Sequence, residues 1–203
     1  MLESMQSVAV YCGSATGNSP AYTQAAQELG TELARRGLNL VYGGGNIGLM
    51  REVAQACLAA GGTVTGVMPQ SLVDLEISHP GLTTLEVVGS MAERKTRMEQ
   101  LADAYICLPG GVGTLEELTE VLTLQQLGHI RGPVGLVNTA DFWRPFYAMY
   151  AAMAESGFIL PRFVDALVMK EKPQDILDEF SHWNYPGTKW DNCLLYTSDA
   201  ADE

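Results

Sequence analysis

Short apolar segments alternate with longer amphipathic segments along most of this chain. The apolar segments are rich in β-branched residues and predict seven strands, at Ser7–Cys12, Leu38–Tyr42, Thr63–Val67, Thr83–Val87, Ala104–Leu108, Val134–Val137 and Ala166–Met169. The segments between them carry apolar residues at helical spacing and predict six helices, at Pro20–Arg36, Ile47–Ala60, Met91–Leu101, Leu115–Leu127, Phe142–Ala154 and Pro173–Phe180. This alternation is typical of a parallel sheet that is covered by helices on both faces. We therefore predict an α/β fold, a Rossmann-like, doubly wound parallel sheet of about seven strands.

The length and composition fit one domain. The chain has 203 residues, of which 47% are hydrophobic, and this is enough to bury a core without disulfides or metals. No internal repeat or proline-rich linker interrupts the pattern before residue 184. We expect one Rossmann-like domain over residues 1–192. Residues 193–203 match neither the helical nor the strand period and resemble a translated sequencing adaptor, so we expect a non-native tail there.

The charge and the cysteines limit the classes of partner. The formal net charge of −12 argues against nucleic acid, because the chain lacks the clustered Lys and Arg that neutralise a phosphate backbone. No apolar run is long enough to span a bilayer, and the N-terminus does not resemble a secretory leader. The four cysteines show no CxxC spacing, which fits a reducing compartment. We expect a cytoplasmic protein without a nucleic-acid or membrane partner.

Two of the loops that follow predicted strands are rich in small residues, and ligands of such sheets bind where these loops leave the strands. The first loop contains Gly13 and Ser14, although an ordinary turn would select the same residue types. The second has a GxGxxG pattern and contains Gly44 and Gly45. At the end of the next predicted strand, no acidic residue occurs before Asp74 to bind a ribose 2′-hydroxyl, which disfavours a dinucleotide. We interpret these glycines as serving both helix packing and ligand approach.

A third loop, at Pro109–Glu117, combines glycines with the start of a helix. Glycines let backbone N–H groups approach an anion, and a helix N-terminus adds partial positive charge, so the segment predicts a phosphate cradle with a carboxylate beside it. The competing interpretation is a capping box, in which Thr114 and Glu117 only stabilise the helix. A capping box does not require the preceding Pro-Gly-Gly-x-Gly, which favours the anion site.

A cationic helical segment, Met91–Met98, stands out in this acidic chain. Its simplest interpretation is a solvated helix face on which Glu93 and Arg97 form a pair. Arg94, however, shares a face with Met98, which predicts that its guanidinium points inward and needs an anion. The chain has no GxSxG, HExxH, Walker or clustered Cys/His motif, so a metal site and an organic cofactor are not expected.

Three motifs in this order, Tyr42–Met50, Glu93-Arg94-Lys95 and the PGGxGTxxE of Pro109–Glu117, resemble the Lonely Guy family of cytokinin-activating phosphoribohydrolases. Family members have been called lysine decarboxylases, but the chain has no lysine-anchored pyridoxal phosphate signature. The resemblance implies hydrolysis of the N-glycosidic bond of an N6-substituted adenosine 5′-monophosphate, without metal or cofactor, in a homodimer whose sites take residues from both subunits.

The resemblance also implies site residues. Arg94 and Glu117 would be catalytic. With the loop residues above, the expected substrate-binding set is Gly13, Ser14, Gly44, Gly45, Glu76, Lys95, Gly110, Gly111, Val112, Gly113, Thr114, Glu116 and Thr123. A carboxylate can stabilise the oxocarbenium-like state of such a cleavage, and we assign this role to Glu117, with Arg94 expected to lower its pKa.

The chain departs from the family pattern at Arg51 and Ala92, which affects substrate preference more than reaction type. Arg51 could favour a more phosphorylated nucleotide, or could simply pair with Glu52 or Glu28. Two other functions stay open: an AMP nucleosidase, and a nucleotide-binding carrier without chemistry.

Overall fold

In a computed structural model, which describes residues 5–75 and 78–191, seven strands form one parallel sheet in the order β4-β3-β2-β1-β5-β6-β7. The strands are β1 Ser7–Tyr11, β2 Asn39–Tyr42, β3 Val64–Pro69, β4 Thr84–Val88, β5 Ala104–Cys107, β6 Val134–Val137 and β7 Val168–Lys170. The helices are α1 Pro20–Arg35, α2 Gly48–Ala59, α3 Gln70–Val73, α4 Met91–Leu101, α5 Val112–Leu127, α6 Arg144–Glu155, α7 Pro161–Ala166 and α8 Pro173–Phe180. The predicted α/β fold is confirmed. The expected tail at 193–203 and the expected domain end at 192 lie outside the described residues.

Successive residues of each strand point to opposite faces of the sheet, and helices cover the apolar residues on both faces. On β1, Val8 and Val10 join a buried cluster with α1, α2 and α8, whereas Ala9 and Tyr11 join a second cluster with α4, α5 and α6. Glycine permits the close contact of the first layer, since a Cβ on Gly30 of α1 would overlap the backbone of α2 at Val53.

The order of the strands reverses at the centre of the sheet. β1 lies between β2 and β5. From β1 the chain runs outward through β2 and β3 to β4, and from β5 it runs outward in the opposite direction through β6 to β7. The loops after β1 and β5 therefore diverge and leave a crevice at their carboxyl ends, which is where open α/β sheets bind ligands.

Helix α5 differs from its prediction. It begins at Val112 and not at Leu115, and its N-cap is Gly111, which makes no side-chain capping hydrogen bond. Thr114 is therefore a buried residue inside the first turn, and the capping-box interpretation is wrong. On the same helix Leu118 and Leu122 are buried, whereas Leu115 is 37% exposed.

One other local prediction is wrong, and one predicted boundary shifts. Arg97 does not pair with Glu93: it donates two hydrogen bonds to Glu86 of β4, and Glu93 accepts the Gly89 N–H at 2.7 Å. The predicted seventh strand, Ala166–Met169, begins two residues late because α7 occupies the chain up to Ala166.

Candidate active site

A cleft of about 210 Å³ lies between the loops after β1 and β5, at the reversal of strand order. Its floor is held by backbone hydrogen bonds: the Gly13 N–H donates to Pro109 O at 3.1 Å, and the Leu49 N–H donates to Gly13 O at 3.0 Å. Three loops distant in sequence are therefore joined at one point. The lining residues are Gly13, Ser14, Ala15, Thr16, Gly17, Tyr22, Leu49, Pro109, Gly110, Gly111 and Phe142.

The glycines of the third loop fall into two kinds. A Cβ on Gly110 would overlap the Thr114 side chain and lie 2.8 Å from Gly13 N, so packing within the protein requires glycine there. A Cβ on Gly111 or Gly113 would meet no protein atom within 4 Å, and neither residue has a positive φ. Open space above the N-terminus of a 16-residue helix is the geometry of an anion site.

Arg94 of α4 points inward, as predicted. Its Nε donates to Val67 O within β3, at 3.2 Å, and its Nη1 contacts Met91 Sδ at 3.7 Å. The guanidinium also lies directly against the backbone of Gly43, where any Cβ would overlap Nη2. The first glycine of the GxGxxG pattern is thus needed to seat Arg94.

Glu117 of α5 is partly buried over the carboxyl ends of β1 and β5. Burial raises the pKa of Tyr11, Cys12 and Cys107, and the charge of Glu117 raises all three further, so Glu117 lies near these groups. Burial raises the pKa of Glu117 itself to about 7, and the positive charge of Arg94 opposes this rise without cancelling it. Arg94 thus lowers this pKa, as expected, but desolvation is the larger effect and the net shift is upward.

The Glu117 carboxyl, with its pKa raised to about 7, and the half-buried guanidinium of Arg94 interact electrostatically. Glu117 lies on the helix whose open N-terminus borders the cleft, although neither side chain lines the cleft itself. This combination can bind a phosphate and stabilise a cationic centre on the group attached to it. Among residues 5–75 and 78–191, no three His, Cys, Asp or Glu side chains are arranged to hold a metal ion. No helix in the same residues combines the length and apolar character needed to cross a bilayer.

Comparison with known proteins gives the family. A family model described as "Possible lysine decarboxylase" matches residues 50–180. Cytokinin riboside 5′-monophosphate phosphoribohydrolase LOG from Oryza sativa subsp. japonica is 42% identical over 193 residues, covering 94% of this chain and 80% of the rice protein. A cytokinin riboside 5′-monophosphate phosphoribohydrolase from Rhodococcoides fascians is 46% identical over 157 residues, covering 77% and 79%. The chain belongs to the Lonely Guy family.

Solved structures agree on the fold of this Lonely Guy protein. The molybdenum cofactor binding protein of Rippkaea orientalis matches with a TM-score of 0.68 and 20% identity, over 89% of this chain and 98% of that one. The molybdenum cofactor carrier protein of Chlamydomonas reinhardtii matches with a TM-score of 0.67 and 17% identity, over 88% and 98%. At these identities the likeness concerns the fold alone.

Several residues expected in the Lonely Guy site lie elsewhere in this chain. Gly44 and Gly45 do not line the cleft; they contact the segment before β4, since Gly44 O accepts the His79 N–H at 2.9 Å and Gly45 bridges to Ser78. Thr123 lies on α5 beyond Glu117, and its hydroxyl donates to Thr119 O at 2.8 Å. Glu76 lies outside the described residues.

Arg51, at which the chain departs from the Lonely Guy pattern, pairs with Glu52 at 2.9 Å. Glu52 also accepts from Gln27 of α1 at 2.8 Å. Arg51 therefore pairs with Glu52, as the second interpretation of the sequence expected, and Glu52 connects α2 to α1.

An aromatic wall beside the cradle was missed by the sequence analysis. Phe142 separates the cleft from an apolar one of about 500 Å³, which α5 and α6 line with Val112, Leu115, Trp143, Pro145, Phe146 and Met149. Phe142 is placed there by Ala140 and Asp141, which both have a positive φ, of 53° and 59°. The one sequence signal was the Phe-Trp pair shortly after a buried strand.

Proposed function

We propose that this chain hydrolyses the N-glycosidic bond of cytokinin riboside 5′-monophosphates, which are N6-substituted adenosine 5′-monophosphates, and releases the free base and ribose 5-phosphate. The observation that carries the proposal is the placement of Glu117 and Arg94 beside the open helix N-terminus of α5 at the strand reversal. The curated relatives, which carry this activity in their names, support the choice of substrate.

In the proposed complex, the 5′-phosphate lies over Gly111, Val112 and Gly113, where backbone N–H groups are not hidden by side chains. Thr114 is buried under this loop and supports Gly110. Gly13 and Ser14 form the opposite side of the cleft. A phosphate fixed here holds the ribose at a set distance from the loop, so the unphosphorylated riboside should bind much more weakly.

Glu117 would act on the ribose. Cleavage of the C1′–N9 bond builds positive charge on the ring, and an ionised carboxylate stabilises that charge while water attacks C1′. Arg94 can bind the phosphate or the ribose hydroxyls, and its charge keeps part of Glu117 ionised near neutral pH. The water supplies the hydroxyl of ribose 5-phosphate, and its proton leaves with the base or the solvent.

We also propose a homodimer. Val112 is 84% exposed and Met149 49% exposed, and both line the apolar cleft beside the cradle. A second copy that covered this surface would bury large apolar side chains and could complete the site, which is consistent with Thr123 lying away from the cleft within one chain.

The test is an assay of purified protein without added metal. Isopentenyladenosine 5′-monophosphate, AMP and the unphosphorylated riboside are supplied separately, and free base and ribose 5-phosphate are quantified. Release from the N6-substituted monophosphate supports the proposal, and faster release from AMP indicates a nucleosidase. Nucleotide binding without release would support the carrier function. Analytical ultracentrifugation of the same preparation tests the dimer.

The proposed role of Glu117 predicts how activity depends on pH. The pKa of Glu117 is raised to about 7, so the carboxyl is protonated in more acidic solution and ionised above this value. Since the ionised form is the active one, kcat should rise with pH through about 7 and then level off. The measurement is kcat at saturating substrate between about pH 5 and 9. A rate that is highest at the acidic end would contradict the role.

A further inference from the structure

Three helices begin beside the cleft between the loops after β1 and β5. Tyr22 lies in the first turn of α1, Leu49 is the second residue of α2, and Gly111 is the N-cap of α5, and all three line the cleft. Each helix N-terminus carries partial positive charge, so the three together favour an anion. In the described part of the chain, no Lys or Arg side chain lines this cleft. The lining residues would therefore bind an anion through neutral hydrogen-bond donors.

Three side-chain hydroxyls can act as these donors. Ser14, Thr16 and Tyr22 line the cleft, and their hydroxyls make no hydrogen bond to protein groups within residues 5–75 and 78–191. Other tyrosine hydroxyls take part in hydrogen bonds inside the protein, namely those of Tyr42, Tyr105, Tyr150 and Tyr185. The hydroxyls at the cleft are thus available to a ligand.

The ring of Tyr22 is held on two sides. Gly17, which has a φ of 74°, lies so close that an added Cβ would be 2.7 Å from Tyr22 Cδ2. On the other side Phe142 contacts the ring edge-on, with the ring centroids 6.0 Å apart and the planes at 78°. A tyrosine has two side-chain torsions and loses little entropy when it binds a ligand. A ring held in this way therefore presents its hydroxyl in a fixed position.

The volume of the cleft indicates which part of a nucleotide it holds. It measures about 210 Å³, which is less than the roughly 300 to 1,000 Å³ of a pocket that encloses a whole ligand. One group of the substrate fits there. The cleft borders Gly111, over which the 5′-phosphate lies in the proposed complex. Helix N-termini and hydroxyls bind phosphate well, whereas an uncharged base would gain little from them.

We propose that the Tyr22 hydroxyl donates a hydrogen bond to the 5′-phosphate of the substrate, with the hydroxyls of Ser14 and Thr16 beside it. Tyr22 and Thr16, to which the sequence motifs give no role, are then substrate-binding residues that distinguish a monophosphate from a riboside. The inference rests on the proposed function, since it takes a nucleoside 5′-monophosphate as the ligand.

Tyr22→Phe removes only the hydroxyl and keeps both contacts of the ring. A hydrogen bond to a charged group changes affinity by roughly tenfold or more. We therefore expect KM for isopentenyladenosine 5′-monophosphate and the inhibition constant Ki of ribose 5-phosphate to rise by the same factor, about tenfold. The value of kcat should stay within about threefold, because the phosphate contact is the same in the ground and transition states.

Two further measurements locate the contact on the ligand. The unphosphorylated riboside, used as a competitive inhibitor, should have the same Ki with Tyr22→Phe as with the wild-type protein. Thr16→Val should raise the constants of the phosphorylated ligands by a smaller factor, about threefold, because the Thr16 side chain is exposed and water competes for the same phosphate oxygens.

The matched control is Tyr147→Phe. Tyr147 of α6 lines a separate groove beside β7, and its hydroxyl also makes no hydrogen bond within the described residues. This variant should leave every constant unchanged. Both tyrosine variants should unfold at the wild-type denaturant midpoint, because neither loses a hydrogen bond inside the protein.

Calorimetry of ribose 5-phosphate and of inorganic phosphate with the protein measures the same contact without turnover. Equal affinities of the wild-type protein and Tyr22→Phe for ribose 5-phosphate overturn the proposal. An equal weakening of the riboside also overturns it, since the hydroxyl would then bind the ribose or the base. If ribose 5-phosphate binds more weakly to Tyr22→Phe as expected, but the wild-type protein hydrolyses no nucleotide, the phosphate contact stands and the proposed function fails.

Discussion

Glu117→Gln should remove nearly all hydrolysis of a cytokinin riboside 5′-monophosphate and, at the same time, stabilise the fold. The amide keeps the shape of the side chain but cannot carry the negative charge that the transition state needs, so we expect kcat to fall by roughly 10³-fold or more. The nucleotide should still bind, because the glycine loop that holds the phosphate is unchanged. The measurements are single-turnover base release and nucleotide binding by calorimetry.

The gain in stability follows from the same buried charge. Folding raises the pKa of Glu117 to about 7, so the folded wild-type protein loses stability as the pH rises from the pKa of the unfolded chain to about 7. Glutamine avoids this cost, and denaturant unfolding at pH 8 should show a variant more stable by roughly 1 to 3 kcal/mol. At pH 4 the difference should disappear. An inactive variant that is less stable at both pH values would point to a purely structural glutamate.

Much of the fold and part of the site could be predicted from the sequence, because they depend on local patterns. Alternating apolar and amphipathic segments predicted every strand of the sheet to within about two residues. The inward position of Arg94 followed from its helical spacing to Met98, and Met98 is fully buried. Both predictions needed only the periods of a helix and a strand.

The errors arose where the outcome depends on groups distant in sequence. Gly111-Val112-Gly113 looks like a loop, yet α5 begins at Val112, because the buried Thr114 and Leu118 hold the start of the helix in spite of weak local propensity. Whether the pKa of Glu117 shifts up or down depends on how far the surrounding sheet, loops and helices bury its carboxyl. A sequence motif does not specify this burial. Phe142 forms a wall of the cleft only because two residues before it adopt left-handed backbone that sequence does not favour.

Gly43→Ala should lower activity without removing any catalytic group. An added methyl group at this position would occupy the space of Arg94 Nη2, and the flexible guanidinium can move away while the backbone stays in place. Arg94 would then lose its hydrogen bond to Val67 O and its orientation toward Glu117. A displacement of about 1 Å in such a group can cost roughly 10²-fold in rate, and we expect kcat/KM to fall by about this amount. Steady-state kinetics with the N6-substituted monophosphate measures the effect.

The matched control is Gly81→Ala, because the nearest atoms to the new methyl group belong to His79 at 3.5 and 3.8 Å, an ordinary contact, and Gly81 has no positive φ. This variant should keep wild-type activity, and both variants should unfold near the wild-type denaturant midpoint. Adding Arg94→Ala to Gly43→Ala decides the mechanism. If Gly43→Ala acts through Arg94, the double variant should be no worse than Arg94→Ala alone, because the methyl group then has nothing left to displace. If instead the double variant loses kcat/KM by the product of the two single losses, Gly43 acts independently of Arg94. The added methyl group would then obstruct the substrate directly.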